Sequence, residues 1–228
     1  MCFSKEFSFF NFALLSGYGS YLAYQNPHHW RLYVPAFYLG LKDFLQGFLY
    51  IFNTNQSYKY ILSILSYIHI CFQPLIANIF FSYFSTSAIR YWNIVLPLLF
   101  LYGLYKLTDL DVFNIQNEPY CKDKKSDFCS DTNSSYIGKY HVAYQFRTKY
   151  KYSNDFLIAM ILPALFTNAY FLSIIWFFFI IVLYLFFYDI RDGEWGAIWC
   201  LLSLIVMLPI IYFRDFICAH MKYIQLFH

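Results

Sequence analysis

Residues 156–188 read FLIAMILPALFTNAYFLSIIWFFFIIVLYLFFY, about 33 positions with no charged side chain among them. A helix needs about 20 mostly apolar residues to cross a hydrocarbon layer about 30 Å thick, so a single helix of this length would overshoot it. Two short spans meeting near Asn168 to Ser173 fit the length better. One long, tilted helix over 156–188 is the alternative, since neither Gly nor Pro marks a turn at that point.

The pattern repeats outward from this stretch. Upstream, apolar runs cover Phe7 to Tyr24, Leu32 to Phe52, Tyr60 to Phe84 and Asn93 to Leu107; downstream, one runs from Glu194 to Phe213. The count predicts an all-α polytopic membrane protein, a bundle of seven transmembrane helices, or six if 156–188 is one helix. Residues 108–155 are too polar and too long for an ordinary connection. They are expected to form an extramembrane loop between the fourth and fifth helices of one transmembrane domain spanning 1–228. Lys5 before an apolar run resembles a signal peptide, but no small-x-small cleavage site follows, so the run counts as a membrane helix.

Composition agrees. Of 228 residues, 60% are hydrophobic and 13% charged, about half the charged share of a typical soluble domain. The net charge of +3 is scattered, and without a basic run to track phosphate, nucleic acid is excluded as a partner. The expected partners are membrane lipids and other membrane subunits. Phe and Tyr number 28 and 24; part of that excess reads as the codon bias of an AT-rich genome rather than as an aromatic binding site.

Three signals orient the chain. Seven spans put the N-terminus and the long loop on one side, and CKDKKSDFC in that loop carries Cys121 and Cys129. Two cysteines suit a disulfide better than a zinc site, which wants four ligands. The same side carries the glycosylation-type tripeptides at Asn55 and Asn133. The opposite side holds Arg31, Arg90, Arg214 and Lys222 near helix ends. The expectation is an integral, multi-pass protein with N-terminus and long loop extracytoplasmic and the C-terminus cytoplasmic.

Polar groups inside apolar helices are costly, by about 2.5–3.5 kcal/mol for a central charge on insertion scales, and so mark candidate sites. In the second run, Ala36, Gly40, Asp43 and Gly47 share one small-residue face, with Gln46 beside it. Lys42 points about 100° away from Asp43 and must find another partner. In the third run, Ser66, His69, Gln73 and Ala77 form a polar stripe, and Pro74 frees the carbonyl near Ile70. Glu194 opens the last run, where the helix dipole favours an anion, and the long loop contributes His141.

The opening Met1-Cys2-Phe3-Ser4, the segment Ser66 to Pro74 and the segment Glu194 to Leu201 together resemble a family of uncharacterised multi-pass membrane proteins of bacteria and large DNA viruses. That family opens Met-Cys-Trp-Ser and carries His-x-x-x-Gln-Pro and Glu-Trp-x-x-x-Trp-Cys. This chain departs from the pattern at Phe3, where the family has Trp, and at Asp43, where a Glu is expected. The resemblance implies an architecture and a set of positions, with no activity attached.

Three functional readings follow. In the first, a polar intramembrane site of Asp43, Gln46, His69 and Gln73 binds a ligand, lipid or metal, with Ser66, Glu194 and His141 as further ligand-binding groups. His69 as general base beside Asp43 makes it catalytic. As a metal site, His69, Asp43, Glu194 and His141 offer nitrogen and oxygen to a divalent zinc or iron. No His-x-x-x-His or Glu-x-x-His spacing supports the metal, and a hydrolase of the alkaline ceramidase type would need histidines in the later helices. The second reading is a non-catalytic structural subunit or assembly factor of a larger membrane complex. The third, a small channel or transporter, would use the stripe beside Pro74 but lacks an internal repeat or a filter-like glycine segment. A retinal photoreceptor is excluded, because the last run has no lysine.

Overall fold

The structure, a computed structural model, describes residues 4–85, 88–112, 133–138, 141–148, 155–186, 194 and 206–225. Four long helices come first: α1 (Lys5–Gln25), α2 (Trp30–Ile51), α3 (Gln56–Phe84) and α4 (Ile89–Leu107). Two short strands follow, β1 (Tyr136–Ile137) and β2 (Val142–Ala143), then α5 (Asp155–Leu165), α6 (Tyr170–Phe186), helical residues 206–212 and α7 (Arg214–Gln225). Helix α1 packs on α2 and α5 on α6, and α3 lies at the centre, touching α2, α4, α5 and α7.

Side-chain caps set the helix starts. The Ser4 hydroxyl accepts from the Phe7 amide, and Asn55 does the same for Tyr58, each satisfying a backbone donor left over in a first helical turn. Asn26 ends α1 and caps the 3-10 turn Pro27–His29 by accepting from the His28 amide. The apolar stretch 156–188 breaks at residues 166–169 without Gly or Pro, and a threonine makes the break. The Thr167 hydroxyl donates to the Ala164 carbonyl at 2.9 Å and accepts from the Ala169 amide at 3.1 Å. It thus closes one helix and opens the next.

Prolines inside helices leave carbonyls that other elements use. Pro163 has no N–H for the Ala159 carbonyl, and Asn78 of α3 reaches across to donate to it at 3.1 Å. The same amide bonds the carbonyl of Pro74 at 2.8 Å within its own helix, tying α5 to the kinked centre of α3.

The expectation of seven spanning helices, or six, is overturned. Among the described residues, α3 alone is both long and apolar enough to cross a membrane. Helices α1, α2 and α4 have the length, but tyrosines, Asn11, Lys42, Asp43, Gln46 and Lys106 dilute their apolar character. Helices α5 and α6 have the apolarity, but only 11 and 17 residues. Runs of similar apolar length therefore do not make equivalent helices. The last expected span, 194–213, falls mostly outside the described residues, as do Cys121 and Cys129. Cys71, buried in α3, is a free thiol.

Buried polar groups share the interior with a hydrophobic core, and many large apolar side chains face outward. Lys42 and Asp43 are each 0% exposed, whereas Ile94 is 65% and Leu185 67% exposed, with Phe10, Leu101 and Phe178 also facing outward. Lys and Asp are almost never fully buried without partners, and broad apolar exteriors mark surfaces that meet something other than water.

Candidate functional site

The expected site residues fall into three groups. The first is a closed network. Strands β1 and β2 pair antiparallel, Tyr136 opposite Ala143 and Ile137 opposite Val142, around a turn in which the Gly138 amide donates to the His141 carbonyl at 2.7 Å. This hairpin lays His141, Tyr144 and Phe146 on the helices, all fully buried. Gln46 of α2 donates from Nε2 to the Tyr144 hydroxyl at 2.9 Å. Its Oε1 therefore takes the His141 Nε2 proton, at 2.8 Å, and the bare His141 Nδ1 accepts from the Tyr50 hydroxyl, also at 2.8 Å. The Glu194 carboxylate accepts from the His141 backbone amide at 3.1 Å. Gly138 lies so near that carboxyl that any side chain there would collide with it.

Burial first, and the nearby Lys42 ammonium second, push the His141 imidazole down to about 3, so it is neutral. Lys42 itself lies over the Tyr144 ring, 4.4 Å from its centroid, a cation–π contact strengthened by desolvation. This is the partner that Lys42 needed, and it comes from the loop rather than from Asp43. Further anchors hold the segment down: the Ser135 amide donates to the Ser63 hydroxyl at 2.9 Å, and Phe146 meets Tyr67 edge-on. Asn133 is fully engaged, its amide donating to the Asp111 carbonyl and accepting from the Arg147 amide. A buried, doubly bonded amide is no acceptor for a glycan, so the glycosylation reading fails at that position.

The second group lies on α3. His69 Nε2 faces the Tyr38 carbonyl at 2.6 Å, and the Tyr38 hydroxyl donates to the His69 carbonyl at 2.7 Å. The rings stack with centroids 4.0 Å apart. A carbonyl only accepts, so the neutral ring carries its proton on Nε2 and leaves Nδ1 as a bare acceptor. Among the described residues that Nδ1 is buried with no hydrogen-bond partner, and so is the Ser66 hydroxyl one turn before it on the same face. Gln73, one turn further on, is buried and lines a narrow apolar crevice with Pro35, Leu39, Phe80, Trp176 and Met207.

Asp43 stands apart as the third. It lies on the face of α2 that carries Gly40 and Gly47, which touch Leu15 and Phe9 of α1. The small-residue stripe therefore seats α1. Both Asp43 carboxylate oxygens are buried without a hydrogen-bond partner among the described residues, so no hydrogen bond joins Asp43 to His69. Nor do three His, Cys, Asp or Glu side chains converge as metal ligands among the described residues.

Sequence reasoning missed Tyr38, Tyr50 and Tyr144. Each supplies a hydroxyl or ring at a polar residue that was singled out, and each was hidden by setting the aromatic excess aside as codon bias. Tyr38 was the most legible, at the height on α2 where an antiparallel neighbour would present His69.

Fold and site together define a helical bundle whose largely apolar core holds several buried polar groups, with a hairpin from its long loop packed on α2 and α3. The chain belongs to a family of unknown function (DUF5765), whose model matches residues 9–218. No curated protein and no solved structure matches it.

Proposed function

We propose that this protein is a membrane-associated ligand-binding protein whose binding groups are the Ser66 hydroxyl and His69 Nδ1 on α3. One observation carries the reading: a hydrogen-bond donor and acceptor, adjacent on one helix face, are buried with no partner among the described residues. A buried polar group left unmade costs about 1–3 kcal/mol, and native folds leave few of them. The reciprocal bonds between Tyr38 and His69 hold the ring so that Nδ1 stays available. Gln46, His141 and Glu194 belong to the hairpin latch, which keeps water from the interior, and their role is closure. The apolar exterior supports contact with lipid, and α3 has the length and apolarity to cross it.

The test is solvent extraction of the purified protein followed by mass spectrometry of the extract, alongside His69→Phe and Asp43→Asn. A small molecule recovered in near-stoichiometric amount from the wild type and from Asp43→Asn, but not from His69→Phe, is the expected result. Equal recovery from all three contradicts the reading.

A non-catalytic subunit of a membrane complex is the second reading. The observation favouring it is the separation of Asp43, His69 and Glu194 into three places under an apolar exterior. Co-purification of a fixed protein partner, with an extract empty of small molecules, is its signature.

A further inference from the structure

The C-terminal end of α3 gathers arginines from three other helices. Arg31, in the first turn of α2, donates to the Ser82 carbonyl at 3.3 Å and lies over the Trp30 ring, 5.4 Å from its centroid. Arg90 stands exposed in the first turn of α4, and Tyr91 beside it donates to the Pro163 carbonyl near the end of α5. Arg214 opens α7, close to Tyr83 of α3 and Tyr18 of α1. Among the described residues, Asp215 is the one carboxylate at this end. At the opposite end, cations and carboxylates are matched: Lys5 with Glu6, Lys106 with Asp155, Arg147 with Asp111. The α3 C-terminal end is therefore the basic one.

Exposed rings surround these arginines: Tyr24, Trp30, Tyr212, Phe213 and Phe216, with Phe166 at the break between α5 and α6. Helix α7 packs Ile217 and Cys218 against the core and turns Phe216 outward, as a helix lying in a membrane interface does. Away from this end, the outer faces of α4 and α6 continue as Leu98 and Leu101 and as Ile174 and Phe178. Charge, then rings, then apolar side chains is the order of a lipid monolayer, from headgroup to acyl chains. A dissolved anion would leave the rings unused, and nucleic acid would need a longer basic track.

We propose that this end docks on the headgroup layer of an anionic phospholipid membrane, with Arg31, Arg90 and Arg214 meeting phosphate. The planar guanidinium suits phosphate oxygens, which it can bond in pairs. The proposal rests on the membrane association read above, and adds which end meets the surface and which lipids it selects.

The test is native mass spectrometry of the full-length chain, purified in detergent and titrated with phosphatidylglycerol or phosphatidylcholine of the same acyl chains. Phosphatidylglycerol is expected to bind about fivefold tighter or more, roughly the effect of one basic residue at an anionic surface. The combined variant Arg31→Gln, Arg90→Gln, Arg214→Gln should lose the preference, and Lys substitutions at the same three positions should keep most of it. Lys5→Gln with Lys59→Gln, at the opposite end, should leave it unchanged. Gel filtration checks folding, and if the triple variant fails it, Arg90→Gln with Arg214→Gln replaces it. Equal binding of the two lipids, an undiminished preference in the Gln variant, or displacement of the lipid by inorganic phosphate overturns the proposal. Equal binding leaves membrane association standing. A chain that binds neither lipid and stays monodisperse once detergent is removed overturns both.

Discussion

At the scale of single residues, burial has separated groups that look equivalent in the sequence. His69 and His141 are both buried imidazoles, but His141 has both ring nitrogens engaged, by Gln46 and Tyr50, and His69 has one. The neutral state of His141 has a consequence for stability. In the unfolded chain its imidazole takes a proton near 6.5, and in the fold only near 3, so the unfolded state binds more protons between those values. The stability tied to neutral His141 is therefore complete above about pH 6.5 and is lost as the pH falls toward 3. Thermal midpoints measured from pH 7.5 down to 4.5 should fall in the wild type and fall less steeply in His141→Gln. Parallel slopes would show that the hairpin network does not hold the imidazole neutral. Asp43 behaves differently, because it makes no hydrogen bond to lose. Asp43→Asn is expected to leave stability within about 0.5 kcal/mol of wild type or to raise it, as denaturant midpoints will show. A loss of several kcal/mol would mean that Asp43 is paired.

Among the elements, the break between α5 and α6 depends on one hydroxyl. Thr167→Val keeps the shape and removes both hydrogen bonds, so it should cost about 0.5–2 kcal/mol in chemical denaturation, the range for a lost helix cap. The packing of α4 on α3 depends on Gly103, whose hydrogen faces the Phe72 ring and the Cys71 carbonyl. A Cβ there would stand 2.6 Å from the ring and 3.1 Å from the carbonyl. Gly103→Val is therefore expected to cost about 1–3 kcal/mol, the usual range for overpacking. These contacts also mark the limits of legibility. Apolar runs located the helices, and the small-residue face of α2 was readable as a contact surface. The identity of its partner, α1, was not, because spacing describes one helix and says nothing of its neighbour. A break near Asn168 to Ser173 was expected from length alone, and the structure has it at 166–169; that Thr167 makes it was missed because Gly and Pro were the only breakers sought. Asn78 bonding the carbonyl that Pro163 frees needed the tertiary arrangement.

Considered whole, the molecule exposes many large apolar side chains and buries a set of polar groups within a hydrophobic core, and its long loop bonds several of those groups. Residues 108–155 were read as an extramembrane loop between the fourth and fifth helices, and described residues of it, among them Ser135, His141 and Tyr144, pack on α2 and α3. Polar composition alone cannot tell a solvated segment from one that pairs with buried polar side chains. The counting of runs failed for a related reason: length and spacing were weighed, while tyrosines and interior charges were not. Of the candidate residues, Gln46, His141 and Glu194 are joined, whereas Asp43 and His69 are not, since a helical wheel gives directions but not distances between helices. If the hairpin is the seal, loosening it should expose the interior. Tyr144→Ala removes the ring beneath Lys42 and the hydroxyl bound to Gln46, and should raise amide deuterium exchange across 133–148 while leaving the centre of α3 protected.

The most direct measurement is an experimental structure of the protein purified without added ligand, inspected at Ser66 and His69. The account predicts non-protein density with a polar atom within about 3 Å of His69 Nδ1 and the Ser66 hydroxyl. Those two atoms bonded to other side chains of the chain, with nothing between them, would contradict it.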